Sequence, residues 1–391
     1  MRILLIHNRY LQPGGEDAVF EAEKALLECS GHEVVPFVGD NARLDGMNPL
    51  MAAVTAVWSR EAQRNLRQLI RETSPGVAHL HNTFLMISPA AYYACKEAGI
   101  PVVQTLHNYR LLCPNALFFR DGRVCEDCIG RIVPWPGVVH ACYRGSRAAS
   151  GVLATILTVH RALGTWTRMV DIFIALTEFA RQKFIEGGFP AEKIVVKPNF
   201  VYPDPGVGDG EGGYALFVGR LTPEKGVETL LAAWERLEMP VPLKVVGDGA
   251  LASKVAKAAE LGQAVEWLGR KPREEVIGLM KQAAFLVFPS ECYEGFPMTI
   301  AESYATGVPV VASNLGAMAS LIDHGRTGLH FRPGDPEDLA AKVEWLLTHP
   351  AELTRMRKEA RAEYEAKYTA ERNYQLLMEI YERAIENSKR I

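Results

Sequence analysis

The sequence lacks a long hydrophobic run: no stretch of its 391 residues reaches the roughly 18 consecutive apolar residues that span a bilayer. The longest candidate, residues 148–160, is too short and contains Thr and His. The start, "MRILLIHNRY", has neither the apolar core nor the small-residue cleavage site of a signal peptide, and it predicts a first strand. We therefore expect a soluble, cytoplasmic protein, either free or bound peripherally at the inner face of the membrane.

The sequence also lacks a strong net charge, since 43 basic and 46 acidic residues give a formal charge of −3. This balance excludes a protein that binds nucleic acid through a broadly basic surface. One region departs from it, because residues 105–168 contain eight Arg against three acidic residues. Such a region is either a solvated face or a surface that attracts anionic lipid or a phosphorylated acceptor.

Internal repeats and low-complexity segments are absent, and the order of elements predicts two similar halves. In each half, short strands that are apolar throughout alternate with amphipathic helices, the pattern of a parallel sheet covered on both faces. Residues 197–213 separate the halves with a run of Pro, Gly and Asp. We therefore predict the α/β class, with one doubly wound Rossmann-like domain over residues 1–200 and a second over 201–370.

Three predicted strand ends carry residues suited to a ligand, which in open α/β sheets binds beyond the carboxyl ends of strands. Gly14 and Gly15 follow the first strand, where they either let a phosphate or sugar approach the backbone or only make a tight turn. A second glycine-rich end reads "VVGDG". In "FVGRLTPEKG", Gly219 is followed by the cations Arg220 and Lys225, which together suit a diphosphate.

A fourth strand end, "ECYEGFPMTIAESYATG", places Glu294 and Glu302 on either side of a predicted helix N-terminus. Backbone N–H groups at such an N-terminus bind anions and would complete a diphosphate site. Glu294 would then accept hydrogen bonds from a sugar and Glu302 from a ribose, because ionised carboxylates are acceptors only. Alternatively, Glu302 is a helix-surface residue and Glu294 complements the helix dipole. The residues predicted at this N-terminus are Pro297, Met298, Thr299 and Ile300.

Taken in this order, the motifs resemble those of the retaining family 4 glycosyltransferases, which have the GT-B architecture of two Rossmann-like domains facing across a cleft. The resemblance rests on the first glycine loop, "GRLTPEKG", the E-x7-E glutamate pair, and "GVPVVAS" followed by "DHGRTGLHFRPGDPEDLA". It implies a UDP- or GDP-sugar donor held mainly by the second domain and a glycan or lipid-linked acceptor held mainly by the first. It also implies that a last helix, residues 371–391, crosses back to the first domain.

The resemblance gives the two cations and the two glutamates the roles described above and adds two residues. His107, after the strand "PVVQTLHN", matches a family histidine near the sugar and diphosphate, although a buried, hydrogen-bonded strand-end histidine would read the same way. Arg270, after "VEWLG", falls where the family places residues beside the nucleobase. The implied catalytic set is His107, Glu294, Arg220 and Lys225.

The implied reaction is a hexosyl transfer with retention of configuration, in the synthesis of cell-surface polysaccharide or glycoconjugate. Same-face attack by the acceptor hydroxyl is the family's route, whereas attack by Glu294 would form a covalent intermediate as in retaining glycosidases. No D-x-D motif stands at a strand end, so we expect donor binding to need no metal. A catalytically silent sugar-nucleotide sensor or scaffold and a sugar-nucleotide epimerase are the alternative functions.

Cysteine is scarce, with seven residues, but four of them lie together in the insert 113–145. A C-x2-C pair with two further Cys at loop-length spacing suits a structural zinc site. Unligated or transiently oxidised thiols and an iron–sulfur cluster are the other readings, and a cytoplasmic location argues against stable disulfides. The residues concerned are Cys113, Cys125, Cys128 and Cys142.

Overall fold

The computed structural model describes residues 1–11, 14–262 and 264–389. It divides into two compact units. The first comprises Met1–Phe118, Glu126–Pro198 and Asn373–Ile391, and the second comprises Phe119–Cys125 and Asn199–Arg372. Each unit is built on a six-stranded sheet whose strands all pair in parallel. The predicted fold class, two Rossmann-like α/β domains, is therefore confirmed.

Fourteen strands occur among the described residues, and twelve of them form the two large sheets while β5 and β6 pair as a short antiparallel hairpin. In chain order they are β1 (Arg2–Arg9), β2 (Glu33–Asp40), β3 (Val77–Leu80), β4 (Val102–Leu106), β5 (Phe119–Arg120), β6 (Arg123–Val124), β7 (Ile172–Ala175), β8 (Ile194–Val196), β9 (Ala215–Val218), β10 (Leu243–Val246), β11 (Val265–Gly269), β12 (Phe285–Phe288), β13 (Val310–Ser313) and β14 (Gly328–Phe331).

The helices alternate with these strands, and short 3-10 turns at Asn41–Gly46, Ala191–Lys193 and Pro223–Lys225 join several of them. The α-helices are α1 (Gly15–Cys29), α2 (Pro49–Val57), α3 (Arg60–Thr73), α4 (Ala90–Glu97), α5 (Trp135–Val139), α6 (Arg147–Ala162), α7 (Thr165–Met169), α8 (Glu178–Glu186), α9 (Val227–Trp234), α10 (Ala252–Glu260), α11 (Arg273–Gln282), α12 (Met298–Ala305), α13 (Gly316–Leu321), α14 (Pro336–Thr348), α15 (Pro350–Lys367) and α16 (Ala370–Lys389).

Strand order places a ligand-binding edge in each sheet. The first sheet runs β2-β1-β3-β4-β7-β8 and the second runs β11-β10-β9-β12-β13-β14. The direction of winding reverses between β1 and β3 in the first sheet and between β9 and β12 in the second. In open α/β sheets, ligands bind at the carboxyl ends of the strands that flank such a reversal.

Burial explains why these strands read as apolar throughout. Every residue of β3, β4, β7, β12 and β13 is buried, as expected for parallel strands covered on both faces. The core of the first unit also takes in the last helix, where Leu377, Tyr381 and Ala384 pack with Ile3 and Phe20. Helix α16 therefore contributes to the same core as β1 and α1.

Side-chain caps fix where several helices begin. The Oγ of Ser59 accepts from the N–H of Ala62 at the start of α3, and Asp335 accepts from Asp338 at the start of α14. These contacts satisfy backbone donors that the first helical turn leaves open. Helix α6 contains the whole apolar stretch 148–160, and no helix in the described part of the chain is both long and apolar enough to cross a membrane.

Candidate active site

The edge of the second sheet is shaped by the turn that follows β9. There the 3-10 helix Pro223–Lys225 ends at Gly226, which adopts φ +69° and begins α9. A Cβ at this glycine would clash with the carbonyl oxygen of Pro289, which directly follows β12. Glycine therefore lets the β9 turn lie against the end of β12, and this contact brings Lys225 to the residues after that strand.

Lys225 and Glu294 form a short, largely buried ion pair at this edge. The Nζ of Lys225 lies 2.6 Å from Oε1 of Glu294, and the hydroxyl of Ser290 donates to the same oxygen at 2.6 Å. Burial acts to raise the pKa of Glu294, but the charge of Lys225 and the two hydrogen bonds hold that pKa below its usual value. Burial acts to lower the pKa of Lys225, and Glu294 raises it above its usual value. Both groups are therefore charged at neutral pH.

Arg220 adds a second cation beside this pair. Its side chain is 60% exposed and lies 3.6 Å from the carboxylate of Glu224. Its charge also acts to lower the pKa of both Glu294 and Lys225, which places it within electrostatic range of the pair. The preceding Gly219 is fixed by its N–H, which donates to Val246 of the neighbouring strand. One buried and one exposed cation thus lie at the predicted diphosphate position.

The predicted helix between the two glutamates is α12. Its N-terminus offers fewer backbone N–H donors to a ligand than the four residues predicted there would suggest. Pro297 precedes the helix and has no N–H, and the N–H of Ile300 donates to the carbonyl of Pro297 at 3.0 Å. The remaining donors at this end are the N–H groups of Met298 and Thr299. Because the first turn contains no acidic residue, the positive end of the helix dipole is not neutralised there.

Glu302 lies within α12 and is paired with an arginine that the sequence analysis did not single out. The Nε of Arg273, the first residue of α11, lies 3.0 Å from Oε1 of Glu302. Burial raises the pKa of Glu302, and Arg273 opposes this effect. Arg270, predicted beside the nucleobase, is exposed at the end of β11. A ribose bound to Glu302 would therefore share that carboxylate with Arg273.

Gly247, in the glycine-rich end after β10, has a structural reason to be a glycine. It adopts φ +147°, and a Cβ there would clash with the carbonyl oxygen of Gly219. The N–H of Gly247 donates to Gly269, and its carbonyl accepts from the indole of Trp267. This glycine therefore allows close contact between backbones at the strand ends.

In the first unit, the predicted glycine loop leads into an acidic helix start. The N–H of Gly14 donates to Oδ2 of Asp17 at 2.8 Å, and the imidazole of His7 bonds to Oδ1 of the same carboxylate at 2.9 Å. Glu16 accepts from Asn108 at 3.0 Å, and burial, with a smaller effect of Asp17, raises its pKa to about 8. The charge of Asp17 in the first turn of α1 disfavours a phosphate there, and both carboxyl groups can hydrogen-bond to hydroxyl groups.

His107 ends a chain of buried polar residues behind β3 and β4. Its Nε2 lies 2.9 Å from Nδ1 of His81, whose Nε2 lies 3.3 Å from the carboxylate of Glu23. The other oxygen of Glu23 bonds to Nζ of Lys197 at 3.1 Å. Burial holds the pKa of His81 and of His107 well below the usual value. His79, adjacent to His81, bonds to Tyr381 and Thr105 through its two nitrogens.

His107 was predicted from the sequence, whereas His81, Glu23 and Lys197 behind it were not. A signal was present: His-Asn occurs near the end of β1, at residues 7–8, and directly after β3 and β4, at residues 81–82 and 107–108. The same dipeptide near the carboxyl ends of three neighbouring strands predicts a shared polar layer. Glu23 and Lys197 carry no such signal, since they come from a helix and from the residue after β8.

The four insert cysteines are half-buried or buried, and no disulfide joins cysteines in the described part of the chain. Burial raises the pKa of the Cys113 thiol, which lies 3.0 Å from the side-chain oxygen of Asn115. Glu23, His79 and His81 place their potential metal-ligand atoms within 4.8 Å of one another. They are the one such group of three or more His, Cys, Asp or Glu residues in the part of the chain that the structure describes. The zinc assignment stays a prediction.

Two family models match the chain. The model described as Glycosyltransferase Family 4 matches residues 14–204, and the model described as Glycosyl transferases group 1 matches residues 206–363. The chain is 27% identical over 384 residues to the glycogen synthase of Mycobacterium tuberculosis, covering 92% of this chain and 89% of that protein. It is also 32% identical over 176 residues to an uncharacterized glycosyltransferase of Methanocaldococcus jannaschii. That match covers 44% of this chain and 49%, about half, of the relative's length.

Among solved structures, the chain is similar to Anabaena HepE in complex with UDP. The TM-score is 0.68 at 19% sequence identity, and the match covers 97% of this chain and 99% of that one. The same Anabaena protein has also been crystallised with UDP-glucose. At this level of identity the likeness shows a shared fold, and it agrees with the two parallel sheets described above.

Proposed function

We propose that the chain, which belongs to the family 4 glycosyltransferases with the GT-B fold, transfers a sugar from a nucleotide-diphospho-sugar to an acceptor hydroxyl with retention of configuration. The observation that carries this proposal is the Lys225–Glu294 pair, 2.6 Å apart at the reversal point of the second sheet. A cation and a carboxylate held together there suit a ligand that joins a phosphate to a polyol. Arg220 and the open start of α12 supply further positive charge for the same phosphate.

The charged groups of this edge have a role in the bond-breaking step. As the bond between the anomeric carbon and the diphosphate oxygen breaks, negative charge grows on the leaving phosphate. Arg220, Lys225 and the N–H groups of Met298 and Thr299 would stabilise that charge because they are fixed before the reaction. Since these groups neutralise the phosphate, we propose that donor binding needs no metal ion.

Glu294 fits a hydrogen-bonding role toward the donor sugar better than a nucleophilic one. Its Oε1 already accepts from Lys225 and Ser290, and its lowered pKa makes it a weak base. We therefore favour same-face attack: the acceptor oxygen bonds to the anomeric carbon as the phosphate departs, and the acceptor proton passes to the leaving phosphate oxygen. Glu302 would accept from the ribose beside Arg273.

The donor we propose is a UDP- or GDP-sugar, and the acceptor is a hydroxyl of a glycan or a lipid-linked glycan. Anabaena HepE, which shares the fold, is described in complex with UDP and with UDP-glucose, which supports the donor class. The acidic start of α1 and the amide of Asn108 would suit acceptor hydroxyls in the first unit. We place this activity in the synthesis of cell-surface polysaccharide or glycoconjugate. A silent sensor and an epimerase are not favoured by the matches to glycosyltransferases.

Peripheral contact with an anionic membrane is part of the proposal and is supported by exposed apolar side chains on two helices of the first unit. Helices α2 and α5 both pack against α6. They expose large apolar side chains, among them Leu50, which is 72% exposed, Val54, and Trp135. The guanidinium of Arg131 lies 5.4 Å from the Trp135 ring centre. Apolar side chains beside arginines are the combination that binds the interface of an anionic bilayer.

A donor screen followed by product analysis tests the proposed function. Thermal shift against UDP-, GDP- and ADP-sugars should identify one nucleotide, because a ligand at 100 times its Kd stabilises by about 2.7 kcal/mol. The selected donor should then be hydrolysed slowly or transferred in the presence of EDTA, and NMR of the product should show the donor's anomeric configuration. The Glu294→Gln variant is the matched inactive control. An inverted product, full dependence on a metal, or an intact donor in every case would contradict the proposal.

A further inference from the structure

The chain of residues behind His107 determines which of its nitrogens carries a proton. His81 and His107 are stacked, with ring centres 5.1 Å apart, and one hydrogen bond of 2.9 Å joins Nδ1 of His81 to Nε2 of His107. Both rings are neutral at neutral pH because burial lowers their pKa values. A neutral imidazole has one N–H donor and one acceptor nitrogen. One ring must therefore donate in this bond and the other must accept.

Glu23 decides the direction of that hydrogen bond. Its carboxylate lies 3.3 Å from Nε2 of His81 and is held by the ammonium group of Lys197 at 3.1 Å. A lone pair on Nε2 of His81 would face a carboxylate at short range and be repelled, whereas an N–H there is attracted. The proton of His81 is thus on Nε2, its Nδ1 is the acceptor, and the N–H of His107 is on Nε2.

The ring of His81 is also held in place from its other sides. The ring of Phe20 meets it edge-on, with centres 5.4 Å apart and planes at 87°, and the ring of His79 lies 4.4 Å away. His79 is itself fixed by hydrogen bonds to Thr105 and Tyr381. His81 and Glu23 are buried, whereas His107 is partly exposed. The chain therefore ends at the solvent-accessible side of His107.

We propose that Lys197, Glu23 and His81 are positioning residues that hold His107 in the Nε2–H tautomer, so that Nδ1 of His107 accepts a hydrogen bond from a substrate hydroxyl. This inference rests on the proposed function for its substrate, but the tautomer itself does not. Because burial lowers the pKa of His107, the ring is not a cation at neutral pH. His107 acts as a neutral acceptor: the charge of Glu23 beside Nε2 of His81 fixes the proton of that ring, and the hydrogen bond between His81 and His107 fixes the tautomer of His107.

Nitrogen NMR of the protein labelled with 15N-histidine tests the tautomer without any substrate. The wild-type spectrum should assign the proton of His107 to Nε2 and leave Nδ1 with the shift of an unprotonated nitrogen. In Glu23→Gln the side-chain amide can donate to Nε2 of His81, which reverses the bond and moves the His107 proton to Nδ1. A protonated Nδ1 in the wild type, or an unchanged tautomer in the variant, would overturn the proposal. Because Glu23→Gln leaves Lys197 buried without its counterion, Glu23→Gln with Lys197→Met provides a second variant that keeps the charge balanced.

Kinetics then separate positioning from general stability. Reversal of the tautomer should lower kcat/KM about tenfold or more, because a substrate hydroxyl meets a donor where it needs an acceptor. The matched control is Lys96→Met with Asp171→Asn, a pair at 2.8 Å between α4 and the residue before β7. Asp171 accepts from the N–H of Val102 at the start of β4, whereas His107 follows the end of that strand. It should lower the Tm to a similar extent without changing the His107 tautomer. If no nucleotide-sugar is transferred, the proposed function is wrong. The NMR experiment still tests the tautomer of His107, because it needs no substrate.

Discussion

Lys225 and Glu294 lie 2.6 Å apart although 69 residues separate them in the chain. The contact exists because β9 and β12 are neighbours at the point where the second sheet reverses its winding. Their side chains are only 17% and 14% exposed, so each charge depends on the other for stabilisation. Arg220, by contrast, is largely exposed beside them. This difference in burial makes the two cations separable by experiment.

Arg220→Ala and Lys225→Ala should both weaken nucleoside diphosphate binding, each by roughly tenfold to a hundredfold, since each removes a charge-assisted contact. Their effects on stability should differ. Arg220→Ala should leave the Tm nearly unchanged, whereas Lys225→Ala leaves Glu294 buried without a counterion and should lower the Tm clearly. Calorimetry and thermal unfolding measure the two effects. Lys254→Ala, an exposed ion-paired lysine of the same unit, is the control, and equal binding by wild type and both variants would refute the diphosphate assignment.

Glu294→Gln and Glu302→Gln should impair the binding of different parts of the donor, the sugar and the ribose respectively. The first should lower affinity for the nucleotide-sugar and abolish turnover while free nucleoside diphosphate binds almost normally. The second should weaken nucleoside diphosphate itself, because its ribose loses an acceptor. Titration calorimetry with the two ligands gives both comparisons, and the opposite pattern would show that the assignments to sugar and ribose are reversed.

Glu16 should make stability fall with rising pH. Its pKa of about 8 in the folded protein lies above the value of about 4.3 in an unfolded chain. Because the native state keeps this proton longer, the free energy of unfolding decreases as pH rises from about 4.5 to about 8. Glu16→Gln should therefore match the wild-type Tm at pH 5 and exceed it at pH 8.5. Glu21→Gln, in the same helix, is the control, and a parallel decline in all three proteins would exclude Glu16 as the cause.

The four insert cysteines should retain about one zinc per chain after purification without chelator, measured by elemental analysis. Cys128→Ser should release the metal and loosen the loop 113–142, since ligation contributes directly to local folding. Cys29→Ser, at an exposed thiol, should keep the metal. Metal-free protein with four alkylatable thiols and full activity would show that the cluster is ordinary cysteine.

The apolar surface on α2 and α5 should bind vesicles that contain phosphatidylglycerol and not vesicles of phosphatidylcholine alone. Co-sedimentation should weaken with added salt, because arginines contribute to the attraction. Leu50→Ser with Val54→Ser, or Trp135→Ala, should reduce binding severalfold. Leu261→Ser removes a similarly exposed leucine from the second unit and should not reduce it. Equal binding by all variants would remove this surface from consideration.

The sequence was sufficient to predict the sheets because their central strands are buried on both faces and therefore carry no polar alternation. It also identified the strand ends, since glycine, proline and charge accumulate where parallel strands stop. It was insufficient for Arg273, which lies in the first turn of a helix where an exposed arginine is common. The approach of Arg273 to Glu302 depends on how α11 and α12 are placed, and no local pattern encodes that placement.

The residues behind His107 illustrate the same limit more strongly. Glu23 is one acidic residue on an amphipathic helix, and Lys197 lies in a segment that reads as a linker. Both are buried, and their contact joins residues 174 positions apart. Only the sheet order β1-β3-β4-β7-β8 and the packing of α1 against the sheet bring them together. Sequence patterns find periodic elements, whereas single buried charges are found from tertiary structure.

The presence of α16 in the core of the first unit has a consequence for biosynthesis. Tyr381 and Leu377 belong to a core whose members outside α16 end at Val195, yet the ribosome makes Asn199–Arg372 of the second unit in between. At about 5–20 residues per second, the first unit waits roughly 10–40 s for its last helix. During that interval the face of β1 and β3 that receives α16 is uncovered on the nascent chain. The first unit can therefore complete its core only after α16 has been synthesised.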